Sequence, residues 1–242
     1  MHITEESDSQ VKLSLPSFSC DGELGKHIPE PLPNRHFAWL CSGKAGSGKT
    51  SLVMSLLCGK GEARVYRKVF DHVYIIVPRA SLSSLKKDAF VDHNQSRIYH
   101  ELSGDILHEI KESCKKLRDS FPDSKCLILI DDMAVYLKEK TVQKALADII
   151  CNRRHYGISL FLCVQSYMFV PLTLRKQLTH ISMWKPTNKR EFQSVFEELV
   201  YLDKDSADKL AKFVFREPYD HLFLDVNRSH FARNFNTLTL ED

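Results

Sequence analysis

Residues 43–50 read Gly43-Lys44-Ala45-Gly46-Ser47-Gly48-Lys49-Thr50 and match G-x-x-x-x-G-K-[ST] in full. Such a loop turns successive backbone N–H groups toward phosphate oxygens, and glycine permits the backbone angles this requires. Lys49 can reach the β- and γ-phosphates of a nucleotide such as ATP, and the Thr50 hydroxyl can ligate Mg2+. Ser51 follows as the next residue of the anion-facing helix start. A second group of chemical residues lies downstream. Cys126-Leu127-Ile128-Leu129-Ile130 is wholly apolar and runs into Asp131-Asp132. A carboxylate at such a strand end can hold the magnesium shell, which suits Asp131. The next can deprotonate an attacking water, which suits Asp132. A third apolar run, Ile158–Val164, ends in Gln165-Ser166. An amide there can read a γ-phosphate or position water, which makes Gln165 a candidate. Arg153 and Arg154 precede that run. Either can stabilise charge on a transferring phosphoryl group from a neighbouring subunit, or the pair simply caps a helix C-terminus favourably.

These residues need strands and helices to bring them together. The pattern predicts strands over His36–Ser42, Val69–Val77, Arg97–His100, Cys126–Ile130, Ile158–Val164, Ile181–Trp184, His221–Val226 and Phe231–Phe235. It predicts helices over Ser51–Leu57, Leu82–Phe90, Ile106–Leu117, Val142–Ile150, Glu191–Tyr201 and Ser206–Phe215. Strands that alternate with helices pair in parallel through crossovers, and fully apolar strands are buried on both faces. The expected fold is therefore a three-layer α/β domain with a mainly parallel central sheet. A whole strand and helix intervene in the chain between the phosphate loop and the acidic strand. That resembles the additional-strand, catalytic-acid type of P-loop ATPase.

Composition narrows the classes. The chain has 242 residues, 43% hydrophobic and 27% charged, which is globular rather than disordered. Its longest apolar runs fall far short of the roughly 20 residues of a membrane helix. The start, Met-His-Ile-Thr-Glu-Glu-Ser-Asp, has neither the basic opening nor the apolar core of a secretory signal. Seven cysteines form no Cys-x-x-Cys pair, which argues against a disulfide scaffold and a zinc ribbon. Residues 1–33 hold six acids against two bases and four of the nine prolines. They read as an acidic arm, with one alternating segment at Val11–Leu15. Residues 34–200 read as the ATPase core, and 201–242 as a helix and strand extension of the same domain. The body after the arm is net basic, which permits a polyanionic partner.

The phosphate loop, the Ile-Asp-Asp strand end, and Asn152-Arg153-Arg154-His155-Tyr156-Gly157-Ile158-Ser159 before a Gln-ended strand occur in this order. Ile181-Ser182-Met183-Trp184-Lys185-Pro186 and Tyr219-Asp220-His221-Leu222-Phe223-Leu224 follow. Together they resemble the DNA-packaging ATPases of large eukaryotic DNA viruses, virophages and Polinton-type elements, within the FtsK–HerA superfamily. The resemblance covers about residues 34–240. It implies an ATP-hydrolysing pump that packages double-stranded DNA into a preformed capsid and assembles as a homo-oligomeric ring, a hexamer or pentamer. It also implies a sensor at Gln165, a trans arginine at Arg153 or Arg154, contact with capsid vertex proteins, and action in the infected host cell or virion. FtsK–HerA proteins commonly carry Asp-Glu after the second strand, where this chain has Asp131-Asp132.

Duplex DNA would be held by phosphate contacts from Lys and Arg. The candidates are Arg64, Arg67 and Lys68; Lys86 and Lys87; Lys115, Lys116 and Arg118; and Lys209, Lys212 and Arg216. Each run reads equally as a solvated helix face. Three other functions share the core motifs. A helicase or conjugative DNA pump would differ by separating strands or by its partners. A P-loop small-molecule kinase would turn over without polymer. A nucleotide-gated structural protein would bind without turnover.

Overall fold

The computed structural model describes residues 22–83, 93–200 and 202–239. In chain order the elements are β1 (Ala38–Ser42), α1 (Lys49–Cys58), β2 (His72–Ile76), α2 (Arg79–Ser83), β3 (Ile98–Tyr99) and α3 (Gly104–Ser120). Then follow β4 (Cys126–Asp131), α4 (Lys140–Cys151), α5 (Arg153–Tyr156), β5 (Ile158–Val164), α6 (Leu172–Arg175) and β6 (His180–Trp184). The chain closes with α7 (Lys189–Leu199), α8 (Lys204–Val214), β7 (His221–Asp225), β8 (His230–Arg233) and β9 (Asn236–Leu238). The strand expected at Val11–Leu15 and most of the helix expected at Leu82–Phe90 lie outside the described residues.

All the strands join one sheet in the order β3-β2-β4-β5-β1-β6-β7-β8-β9. The pairs from β3 to β6 are parallel, and those from β6 to β9 are antiparallel. The fold is thus a three-layer α/β P-loop arrangement with a mostly parallel sheet. Sequence order and spatial order part company at its centre. The strands that intervene in the chain between β1 and β4 are β2 and β3, but the one lying between β1 and β4 in the sheet is β5. The ends of β1, β4 and β5 therefore stand side by side, with Ser42 opposite Val164 and Asp131 opposite Cys163.

Period-two alternation makes two cores. Ala38, Leu40, Ile128, Ile130, Leu160 and Leu162 face one side, covered by Leu107 and Ile110 of α3, Val142, Leu146 and Ile149 of α4, and Phe192, Val195 and Phe196 of α7. Phe37, Trp39, Cys41, Leu127, Leu129 and Phe161 face the other, covered by Val53 and Leu56 of α1 with Tyr66 and Val69. One helix is too little for that face. Leu24, Ile28 and Leu32 complete the cover and are buried. Each gains roughly 1.5–3 kcal/mol by leaving water. Leu24 N–H donates to Asn34 O at 2.9 Å, Lys125 Nζ donates to Leu24 O at 2.9 Å, and the Tyr66 hydroxyl donates to Pro33 O at 2.8 Å. Of the expected arm, the described residues 22–33 thus lie against the domain. Their apolar side chains, four residues apart, find uncovered sheet.

Candidate nucleotide site

The loop between β1 and α1 sits where the parallel strands open at their carboxyl ends, as an open α/β sheet requires of a binding site. Gly46 and Gly48 take φ of +75° and +104°, a region costly to any residue with a Cβ. Gly48 is also the residue before α1 and has no side chain to cap it, and the first turn of α1 carries no acid. The N–H groups at that helix start therefore stay available to an anion.

Lys49 is buried inside the loop. Its Nζ donates to Gly43 O at 2.6 Å and to Lys44 O at 2.9 Å. Thr50 Oγ1 donates to Asp131 Oδ2 at 2.6 Å, which brings the end of β4 against the start of α1. Burial pushes the Asp131 carboxyl up, the Thr50 hydrogen bond draws it back, the neighbouring Asp132 charge raises it, and Lys49 lowers it; the net direction is upward. Thr50 and Asp131 offer hard oxygens, the donor set that suits Mg2+, which binds through one or two protein oxygens plus phosphates and water. The residues present fit that ion.

Asp132 is exposed and takes φ of +59°, a left-handed turn that Asp tolerates better than most residues. Its two oxygens are both engaged. Gln165 Nε2 donates to Oδ1 at 3.2 Å, and Ser81 Oγ donates to Oδ2 at 3.3 Å. The three strand ends after β2, β4 and β5 thus meet on one carboxylate. A cavity of about 810 Å³ opens here, lined by Gly48, Lys49, Thr50 and Ser51 of the loop and α1, by Asp131, Asp132 and Ser81, and by Trp184, Tyr219 and His221.

The structure brings together Lys49, Thr50, Asp131, Asp132 and Gln165. It does not bring Arg153 or Arg154 to them. Both stand before β5, at the opposite end of the sheet, beside a separate cavity of about 560 Å³. Arg153 Nε donates to His36 O at 3.1 Å and Nη1 to Ile150 O at 2.9 Å. Burial also lowers its pKa.

Ser81 was not legible as a site residue, since a serine after Val77-Pro78 has no signal in spacing. Neither was Glu191 of α7, a buried carboxylate that accepts from Ser42 Oγ at 3.3 Å and from the Tyr167 N–H. It braces the end of β1 against the turn that follows Gln165. Its only local cue is Asn188, whose side chain caps α7 at the Glu191 N–H, 2.9 Å away.

Comparison with known proteins agrees with this fold. No match is found among curated protein sequences. Among solved structures, the DNA-packaging ATPase B204 of Sulfolobus turreted icosahedral virus superposes with a TM-score of 0.60 at 18% identity, over 85% of this chain and 98% of that one. B204 of Sulfolobus turreted icosahedral virus 2, a genome packaging NTPase in complex with sulfate, gives 0.58 at 18% identity over 86% and 98%. The latter protein is also known in complex with AMPPCP and with ATP-gammaS. EssC of Geobacillus thermodenitrificans, ATPases 2 and 3, gives 0.53 at 12% identity over 85% of this chain and 41% of that one. At such identities the likeness establishes the P-loop ATPase fold. The family model described as Poxvirus A32 protein matches residues 26–199, well over half of the length, and the chain belongs to that family.

Proposed function

We propose that this chain is an ATP-driven translocase of double-stranded DNA that packages a viral genome into a preformed capsid. The observation that carries the reading is the convergence of Lys49, the Thr50–Asp131 pair and the Asp132–Gln165 pair at the carboxyl ends of β1, β4 and β5. Family membership and a fold shared with packaging ATPases support the biological setting, the infected cell.

The ATP phosphates lie along Gly43–Thr50, and Lys49 exchanges its two carbonyl contacts for β- and γ-phosphate oxygens. Mg2+, held by Thr50 and Asp131, supplies neutralising charge to those oxygens when bound. Asp132 takes the proton of the attacking water as a general base. Its side chain is one methylene shorter than glutamate, so the water must lie closer to β4. Gln165 and Ser81 orient that carboxylate, and Gln165 couples it to the γ-phosphate.

Arg153 and Arg154 can serve the reaction only across an interface, where the opposite end of one sheet meets a neighbour's loop. We assign Arg154, which is exposed, over Arg153, which is half-buried. A ring supplies that interface. Val135, Met168, Phe169 and Leu172 are exposed apolar residues that follow Asp132 and Gln165 in the chain, and they offer it contact surface. Among the DNA candidates, Lys209 and Lys212 of α8 and Arg216, which lies over the Phe213 ring at 3.8 Å, form a basic group on the C-terminal part. Lys86 and Lys87 lie outside the described residues.

The test is ATP hydrolysis with and without double-stranded DNA, beside Lys49→Ala. Turnover stimulated by DNA and lost in the variant is expected. Turnover indifferent to DNA would move the assignment to a small-molecule kinase, and separation of strands would move it to a helicase.

A further inference from the structure

We propose that the exposed ring of Tyr219 is the platform on which the nucleotide base stacks. The inference rests on the ATP-binding reading and deepens it. Strand order divides the cavity. Asp131 and Ser81 lie on the β4 and β2 side of the phosphate loop, and Trp184 and Tyr219 lie on the β6 and β7 side. The γ-phosphate belongs with Thr50 and Asp131, so a triphosphate laid along the loop sends its base toward the other flank. There β7 runs antiparallel to β6, and its first residue, His221, pairs with Trp184, so the residue two before His221 emerges at the same sheet end as the loop. That residue is Tyr219.

Its setting is built rather than incidental. Tyr219 is 71% exposed, against 4% for Trp184, so it alone of the two aromatics has a ring face to give. A Cβ placed on Gly48 would lie 3.6 Å from Tyr219 Cδ1, so the ring stands directly beside the last glycine of the loop. The backbone of Tyr219 is left-handed, with φ of +69°, a conformation uncommon for a bulky residue. Several contacts hold that turn. Trp184 Nε1 donates to Tyr219 O at 3.0 Å, Arg233 Nη2 donates to Asp220 Oδ2 at 2.7 Å, and Asn234 Nδ2 donates to Asp220 Oδ1 at 2.7 Å. A held turn that presents an exposed aromatic to a phosphate site is a stacking surface, and base–aromatic stacking tolerates any base with a sufficient π-face.

The test compares binding of ATP and of inorganic tripolyphosphate, each with Mg2+, to the full chain and to Tyr219→Ala, Tyr219→Phe and Lys49→Ala. The expected result is a roughly 10- to 100-fold loss of ATP affinity in Tyr219→Ala, none for tripolyphosphate, and near-native binding of both in Tyr219→Phe. Lys49→Ala should lose both ligands. Unchanged ATP affinity in Tyr219→Ala would overturn the base platform while leaving ATP binding intact. Equal weakening of both ligands would overturn it too, because the turn would then be supporting the loop rather than the base. A native chain that binds neither ligand would remove the ATP reading, and the platform with it.

Discussion

The two ends of the sheet use polar residues in opposite ways. At the carboxyl end, Lys49, Asp131 and Asp132 line a cavity, gathered there by the Thr50–Asp131 and Gln165–Asp132 bonds. At the amino end, polar side chains serve the chain itself. Arg153 closes on the His36 and Ile150 carbonyls, and Thr179 Oγ1 both accepts from Ala38 N–H at 3.0 Å and donates to Ala38 O at 3.1 Å. His36 Nδ1 meets Ser159 Oγ at 3.1 Å, and His180 Nδ1 meets Thr179 Oγ1 at 2.9 Å. The difference teaches that a pair of adjacent cations is not by its charge a catalytic one. What matters is whether it stands at the cavity where the phosphate loop opens.

The sharpest way to break the contrast is Lys49→Ala. At least a roughly 100-fold loss of ATP turnover is expected, since removing a preorganised cation at the transferring phosphate costs at least that much. Retained turnover would mean that the reaction does not belong to the carboxyl end.

Asp132→Asn should follow, with kcat down by roughly 10²–10⁴ and ATP affinity preserved. A loss of affinity instead of rate would make Asp132 a binding group.

At the amino end the expected effects fall on stability. Burial, reinforced by nearby cations (Arg118, Lys125 and Arg153 for His36; Arg153 and Arg228 for His180), pushes both histidines down to about 3. Each is neutral when folded, but the unfolded chain takes up its proton near pH 6.5. The unfolded state therefore binds more protons from about pH 6.5 down to about 3. Stability falls on acidification across that window, by about 1.4 kcal/mol per pH unit for each histidine well below 6.5. Thermal melts from pH 7 to pH 4 should show the slope, and His180→Asn should flatten it; an unchanged slope would remove His180 from the account.

Arg153→Ala should cost roughly 2 kcal/mol of stability through the two carbonyls it abandons, while ATP affinity stays native. Lost ATP affinity with native stability would place this arginine with the carboxyl end after all. The smallest effect should be Ser81→Ala, a less than roughly tenfold drop in kcat, because Gln165 still holds the other oxygen of Asp132. A drop as large as that of Asp132→Asn would make Ser81 a principal partner of the base.

Several elements were legible because local pattern alone specifies them. β5 spans the apolar run Ile158–Val164 as expected, and α4 extends the predicted Val142–Ile150 only to Lys140–Cys151. The strand expected over Val69–Val77 is shorter, His72–Ile76, since Val69 packs on the second core as part of a turn. The closing strand expected at Phe231–Phe235 stops at Arg233 in β8, because Asn234 and Phe235 turn with positive φ, and β9, beyond the expected range, follows that turn. The packing of residues 22–33 had no local signal, because three apolar residues among prolines look the same beside a sheet as beside water.

By itself, the sequence determined the phosphate loop, the acid after β4 and the amide after β5. Loop chemistry is carried by consecutive backbone groups, and each strand end advertises itself where an apolar run meets a polar residue. Only the tertiary structure decided which of these residues are neighbours. Placing β5 between β1 and β4 joins Asp132 to Gln165, and placing β6 and β7 on the far side of β1 sets Tyr219 beside Gly48. The same arrangement sends Arg153 and Arg154 to the other end of the sheet. Burial of both sheet faces fixes that order, and burial is a property of the whole fold that no single stretch of chain contains.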